Sequence, residues 1–217
     1  MITAADYFLN IKKELIAYYS AKDLSSIHFV GLDCSLTSTG FSVINNNKQV
    51  YGCEIGSKYY SGKRLWDLSI QVIRKIEQYP NSLILMENYS FNARNTNSLT
   101  GLAEFGGCLK MLFHKRGLKY LLVAPTTLKK YIYKGSFKKA MMPFFVNKKF
   151  GLEIIGPDHA DAVGLAFLGY NAFRFAKDMK LYYTVKEIEC FNTILSLSGK
   201  PKTNKKTNRQ LALELTT

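Results

Sequence analysis

Short apolar runs alternate with helix-spaced segments along the 217 residues of the chain. Tyr7, Phe8, Ile11, Leu15, Ile16 and Tyr19 recur at helical spacing and predict an opening helix over residues 3–20. Three strand-like runs follow, over 27–33, 39–45 and 49–56, and the polar NNNK between the last two predicts a hairpin turn. Leu65, Leu68, Val72, Ile73 and Ile76 mark a helix over 61–79, ended by Pro80-Asn81. SLILME, residues 82–87, is too short for a helix and reads as a buried strand. A helix over 98–115 comes next, then a fifth strand, KYLLVA, stopped by Pro125. Short helices over 126–133 and 138–149 flank the loop KGSF. The segment GPDHADAVGLAFLGYNAFRFA forms a last long helix, with Ala162, Leu165, Ala166, Gly169 and Phe173 on one face. Three antiparallel strands followed by βα units describe an α/β fold: one mixed five-stranded sheet flanked by helices. The expected organisation is a helical extension over 1–22, a core domain over 23–178, and a C-terminal helix with a basic tail over 179–217. The tail segment GKPKTNKKTNRQ is polar and Pro/Gly-punctuated and is expected to be mobile.

This pattern gives four acids a special place. Asp33 ends the first strand and Glu87 ends the fourth. If those strands are parallel neighbours, both carboxylates emerge at the carboxyl edge, where α/β sheets place their sites. Asp158 and Asp161 open the last helix three residues apart, on one face. Four converging carboxylates repel one another unless cations hold them, and an all-oxygen set suits Mg2+ or Mn2+. Two such ions form the site that activates water and steadies a leaving oxygen in phosphodiester cleavage. Each acid also has a plainer reading. Asp158 fits an N-cap with Asp161 in the first turn, Glu87 a strand end, and Asp33 a turn-capping side chain.

Charge supports the chemical reading. The chain carries a net +14, with 30 Lys and Arg against 16 Asp and Glu. Such an excess points to a polyanionic partner, above all nucleic acid. Lys129, Lys130, Lys134, Lys138, Lys139, Lys148 and Lys149 are interleaved with Tyr131, Tyr133 and Phe137, which suits phosphates and bases together, although a solvated lysine face has the same pattern. No apolar run reaches the roughly 18 residues of a membrane span. The opening residues lack the basic start of a signal peptide, so a cytosolic setting is expected, with no membrane partner. Cys34, Cys53, Cys108 and Cys190 are far apart, without the paired spacing of a zinc site or disulfide frame. His159 reads as a helix-start side chain rather than a ligand.

Five motifs in order then carry a resemblance. GLDCSLTSTGFSVI, LILMENYSF, GLAEFGGCL, VAPTTLKKYIYKGSFKKAMM and DHADAVGLA resemble the RuvC family of Holliday-junction resolvases, within the RNase H-like (retroviral-integrase-like) fold, over about residues 28–176. The resemblance implies a metal-dependent endonuclease that resolves four-way DNA junctions and leaves 5′-phosphate and 3′-hydroxyl ends. It implies that Asp33, Glu87, Asp158 and Asp161 bind two Mg2+ or Mn2+ ions. Lys129 and Lys139 fall where the family keeps basic residues near the scissile phosphate, with Lys138 the neighbouring candidate. In NYSFNARNTNS, Phe91 is the implied aromatic wedge and Tyr89 its alternative. With Arg94, Lys130, Lys134 and Lys138 they complete the expected DNA contacts. A homodimer is expected, since a junction has near-two-fold symmetry, with helix 98–115 as its surface because Gly101, Gly106 and Gly107 allow close approach.

The chain also departs from the family pattern. Cys34 follows the first Asp where Pro or a comparable residue is usual, Glu104 stands where Gln is usual, and both terminal extensions are additions to the compact bacterial form. A viral or organellar source fits that divergence. The alternatives are another RNase H-like nuclease acting on branched DNA or RNA–DNA hybrids, an actin-like phosphotransferase for which the chain is too short, and a silent DNA-binding module, which would lack one of the acids.

Overall fold

The computed structural model describes residues 17, 19, 22–45, 47–88, 96–177 and 182–195, and for 96–98 the backbone alone. Most of the expected opening helix and all of the basic tail lie outside them. The expected mixed sheet is observed. Strands β1 (His28–Asp33), β2 (Thr39–Ile44), β3 (Val50–Ile55), β4 (Ser82–Glu87) and β5 (Lys119–Val123) lie in the order β3-β2-β1-β4-β5. β2 pairs antiparallel with β1 and β3, while β1–β4 and β4–β5 are parallel. The βα crossovers are helices α1 (Ser61–Ile76) and α2 (Thr96–Lys115). After β5 come α3 (Pro125–Ile132), α4 (Met142–Phe150), α5 (Pro157–Lys177) and α6 (Val185–Leu195).

Side chains alternate across a strand, so each strand feeds two cores. Val30, Leu32, Ile84 and Met86 pack with Leu68, Val72 and Ile76 of α1 and Phe105, Leu109 and Phe113 of α2. Phe29, Ile44, Leu83 and Leu85 point the other way and pack with α3, α4, α5 and α6. Tyr19, from the expected opening helix, belongs to this second core. Its hydroxyl donates to Ser82 O at 2.7 Å and its ring meets Phe173 edge-on.

Helix α5 is buried nearly all round because it lies between the sheet and the outer helices. It sits against the sheet backbone itself. A Cβ on Gly31 would fall 1.8 Å from Ala162 O, and one on Gly40 2.0 Å from Asp158 O. One on Gly52 would fall 2.2 Å from His159 Nε2. These three glycines, on three adjacent strands, clear the track along which the helix lies.

Two boundaries differ from expectation. α1 ends at Ile76, and 77–79 close as turns on Ile73 O, Lys75 O and Ile76 O. The helix expected over 138–149 is split into a 3-10 turn, Lys139–Met141, and α4. Pro143 has no N–H to give to Lys139 O, so it is tolerated only in a first turn. The C-terminal helix is present as α6, whose Thr184 and Glu187 form a reciprocal cap: Thr184 N donates to Glu187 Oε2 at 2.9 Å and Glu187 N to Thr184 Oγ1 at 3.3 Å. No helix among the described residues is long and apolar enough to cross a membrane.

Candidate active site

The alternation that aims Phe29 and Gly31 at α5 also aims Asp33 at it, and Leu83, Leu85 and Glu87 follow the same rule on β4. The parallel pairing of β1 with β4 brings both strand ends to one edge, with Leu32 opposite Met86. Asp158 and Asp161 come from the first turns of α5, which begins over that edge. Four carboxylates therefore gather at one place, as the positions of the acids predict.

Lys139 closes the cluster. Its ammonium lies 2.6 Å from Asp158 Oδ1, 3.2 Å from Asp33 Oδ2 and 3.5 Å from Asp161 Oδ2. The lysine side chain is half exposed, while Asp33 and Asp161 are nearly inaccessible, so the ammonium sits between the acids and solvent. Burial works against its charge, but Asp33, the hydrogen bond to Asp158 and Asp161 outweigh burial and hold its pKa above the usual lysine range. Glu87 completes the set through a hydrogen bond with the Asp33 carboxyl group. Burial, and then the charge of Asp33, push Glu87 well above the ordinary carboxyl range. Burial followed by the Asp33 charge pushes Asp161 up to about 7, against the pull of Lys139.

These shifts carry a pH dependence. The folded acids bind protons that the unfolded chain has already released above 3.8 for Asp161 and 4.5 for Glu87. Stability therefore falls as pH rises through that window. Lys139, shifted upward, contributes in full below its ordinary 10.5 and leaves the sign unchanged. In divalent-free buffer we expect the melting temperature to drop between about pH 5 and pH 8, and Mg2+ to restore most of the loss. A flat thermal profile over that range, measured in EDTA, would refute the strained cluster.

Among the described residues, no three His, Cys, Asp or Glu side chains stand around a common metal position as they are placed here. The ammonium of Lys139 takes the middle. The donor set nevertheless fits a hard divalent cation. Every group is a carboxylate oxygen, three of the four already surround a full positive charge, and the fourth lies close enough to Asp33 to feel its charge, a repulsion that a cation would relieve.

The other expected residues fall in several places. Lys129 forms no ion pair with the four acids; its ammonium donates to Phe137 O at 3.4 Å and lies 5.7 Å from the Phe137 ring centroid. It thereby ties down the loop that carries Lys138 and Lys139. Lys130 pairs with Glu189 at 2.6 Å, Lys134 lies over Tyr133, and Lys138 is exposed. Tyr89, Phe91 and Arg94 lie outside the described residues. His159 turns away from the acids toward β3, and its buried Nε2 over Gly52 has no hydrogen-bond partner among the described residues. Burial lowers its pKa, against the charge of Glu54. The part played by Gly31, Gly40 and Gly52 is not among the expectations from sequence. Their period-two positions on strands facing one helix were the available signal.

Comparison with known proteins places this geometry in a lineage. The structure is similar to that of Thermus thermophilus RuvC in complex with a Holliday junction substrate, with TM-score 0.55 and 16% identity over 70% of this chain and 95% of the other. A second Thermus thermophilus RuvC structure matches with TM-score 0.55 and 17% identity over 69% of this chain and 95% of the other. The yeast mitochondrial Holliday junction resolvase Ydc2 matches with TM-score 0.47 and 15% identity over 85% of this chain and 87% of the other. No curated protein sequence matches the chain. The family model of the crossover junction endodeoxyribonuclease RuvC matches residues 29–168, which run from β1 into α5 and include all four acids and Lys139. With most of its length matched in this way, the chain belongs to the RuvC family.

Proposed function

We propose that the chain is a metal-dependent endonuclease that resolves four-way DNA junctions. The observation that carries the reading is the convergence of Asp33, Asp158 and Asp161 around one ammonium, with Glu87 beside Asp33, at the sheet edge of a RuvC-family core. Asp33, Glu87, Asp158 and Asp161 would hold two Mg2+ or Mn2+ ions, whose chemistry when bound is activation of the attacking water and neutralisation of charge on the leaving 3′-oxygen. The rigid sheet and α5 fix the acids before substrate arrives, so little reorganisation accompanies the reaction. Lys139 sits at the solvent side of the cluster, where its charge meets the developing negative charge on a phosphate. Lys129 holds the loop behind it. Hydrolysis in this sense leaves a 5′-phosphate and a 3′-hydroxyl. The test is cleavage of a four-way junction, a flap, an RNA–DNA hybrid and plain duplex, each with and without Mg2+ or Mn2+. Metal-dependent cutting of the junction above the others supports the reading. Preferential cutting of the hybrid would instead assign the chain to an RNase H-type substrate.

We further propose a homodimer, built on α2, that cuts opposed strands of the junction. Gly107 and Met111 lie one turn apart on the open side of α2, where a Cβ on Gly107 would meet nothing within 4 Å and Met111 is 62% exposed. Gly101 faces inward, against Leu36, and Gly106 is buried, so neither belongs to that surface. Sedimentation is expected to show a dimer at micromolar concentration and Met111→Glu a monomer. A wild-type monomer, with or without DNA, would overturn paired cutting.

A further inference from the structure

Helix α6 lies wholly beyond the residues matched by the family model. It nevertheless builds one wall of a groove of about 510 Å3, whose other walls are the end of α3 and α4. Lys130, Tyr133, Lys134, Lys149, Val185 and Lys186 line it.

The charges of the groove are unevenly satisfied. Glu189 pairs with Lys130 and Glu187 with Lys149, each at 2.6 Å, so both glutamates of α6 are neutralised by lysines. Lys134 and Lys186 are exposed, and no carboxylate pairs with either among the described residues. The surface between them is aromatic and apolar. Tyr133 is 43% exposed and stacks on Phe145 at 4.2 Å, while Val185 is 64% exposed. Two such ammonium groups around an apolar, aromatic floor suit a phosphodiester chain, with phosphates at the rim and sugar against the ring.

The groove is tied to the active site by the chain itself. Lys134 and Lys139 are five residues apart, so their Cα atoms are separated by at most about 18 Å. Each ammonium reaches roughly 6 Å beyond its Cα, and one strand of duplex DNA advances about 3.4 Å per nucleotide, which puts the groove within about nine nucleotides of a phosphate at the acids. Exposed Lys138 lies on the way.

We propose that the groove between α3 and the first turn of α6 is a second DNA-binding site, seating the sugar–phosphate backbone of one junction arm within about nine nucleotides of the cut. The proposal rests on the reading of the chain as a junction nuclease. It makes α6 a clamp added to the family core, one that lengthens the footprint on a single arm.

The test is the salt dependence of binding to a four-way junction and to plain duplex, in divalent-free buffer, for the wild-type chain and Lys134→Gln/Lys186→Gln. Removing one lysine from a phosphate lowers the slope of log K against log salt by about 1, so the double variant should show a slope shallower by about 2. Ethylation of a phosphate within about nine nucleotides of the one at the acids should weaken binding of the wild type, and ethylation of that phosphate should leave binding of the variant unchanged. Both substituted residues are exposed, and an unchanged melting temperature checks the fold. Unchanged slope and footprint in the variant would overturn the second site. Wild-type protein with no preference for the junction and no metal-dependent cutting would overturn the functional reading instead. The slope difference on plain duplex reports on the groove in that case too.

Discussion

Replacing Asp33 by Asn is expected to remove metal-dependent cleavage while sparing DNA binding. Asp33 touches both other parts of the cluster: it accepts from Lys139 at 3.2 Å and shares a hydrogen bond with Glu87. The charge stabilisation that a bound divalent ion supplies is worth several kcal/mol, and at about 1.36 kcal/mol per tenfold an ion lost with its ligand means a rate loss of roughly a thousandfold. The amide keeps the shape of the carboxylate but not its charge. Repulsion on Glu87 and Asp161 therefore falls, and the fall of melting temperature with pH in EDTA should become shallower. Binding to a four-way junction should stay level or tighten, because one negative charge facing phosphate is gone. Undiminished Mg2+-dependent cutting by Asp33→Asn would sink the assignment of the four acids as metal ligands. Steepened rather than flattened thermal profiles would show that Asp33 does not raise its neighbours.

Gly31→Ala is expected to be the most damaging single methyl in the sheet. The new Cβ would stand 1.8 Å from Ala162 O and 2.7 Å from Ala166 N, both backbone atoms of α5. Neither can swing aside as a side chain can, so α5 must lift from the sheet. Overpacking of this kind costs up to about 3 kcal/mol, and at about 2–4 °C per kcal/mol for a domain of this size the melting temperature should fall by roughly 6–12 °C. Asp158 and Asp161 ride on the same helix, so Mg2+ affinity, read by calorimetry, should weaken as well. Gly62→Ala in α1 is the contrast, since a Cβ there meets nothing within 4 Å. It should be neutral or stabilising by at most about 1 kcal/mol. Equal melting temperatures for the two variants would contradict the close seating of α5.

Much of this is legible in the order of residues. The five strands, their mixed pairing and the long last helix follow from apolar periodicity, because a half-buried strand and an amphipathic helix each impose a repeat on the sequence. Asp33 and Glu87 stand out for the same reason: each is a charge at the end of an apolar run, where only an edge or a cation tolerates it. The family motifs over residues 28–176 agree with the matched span of 29–168. The start of α4 escapes such reading because the run over 138–149 looks continuous in hydropathy, while Pro143 forbids the bond that would make it so.

Local pattern is enough to specify the set of elements and to single out the four acids, since both are properties of short stretches: a repeat of two or 3.6, and a charge where the repeat stops. Which lysine faces the acids is not local. Lys129, Lys138 and Lys139 are equivalent as letters, and only the packing of the loop against α3 and α5 turns Lys139 inward and leaves Lys129 on Phe137. The seating of α5 on Gly31, Gly40 and Gly52 likewise depends on three strands lying side by side, which no single stretch of chain records. The groove of α3 and α6 joins residues 130–134 to 184–187, which are far apart in sequence. These features belong to the folded chain because steric exclusion and ion pairing act through space, between segments whose separation along the chain carries no information about their distance.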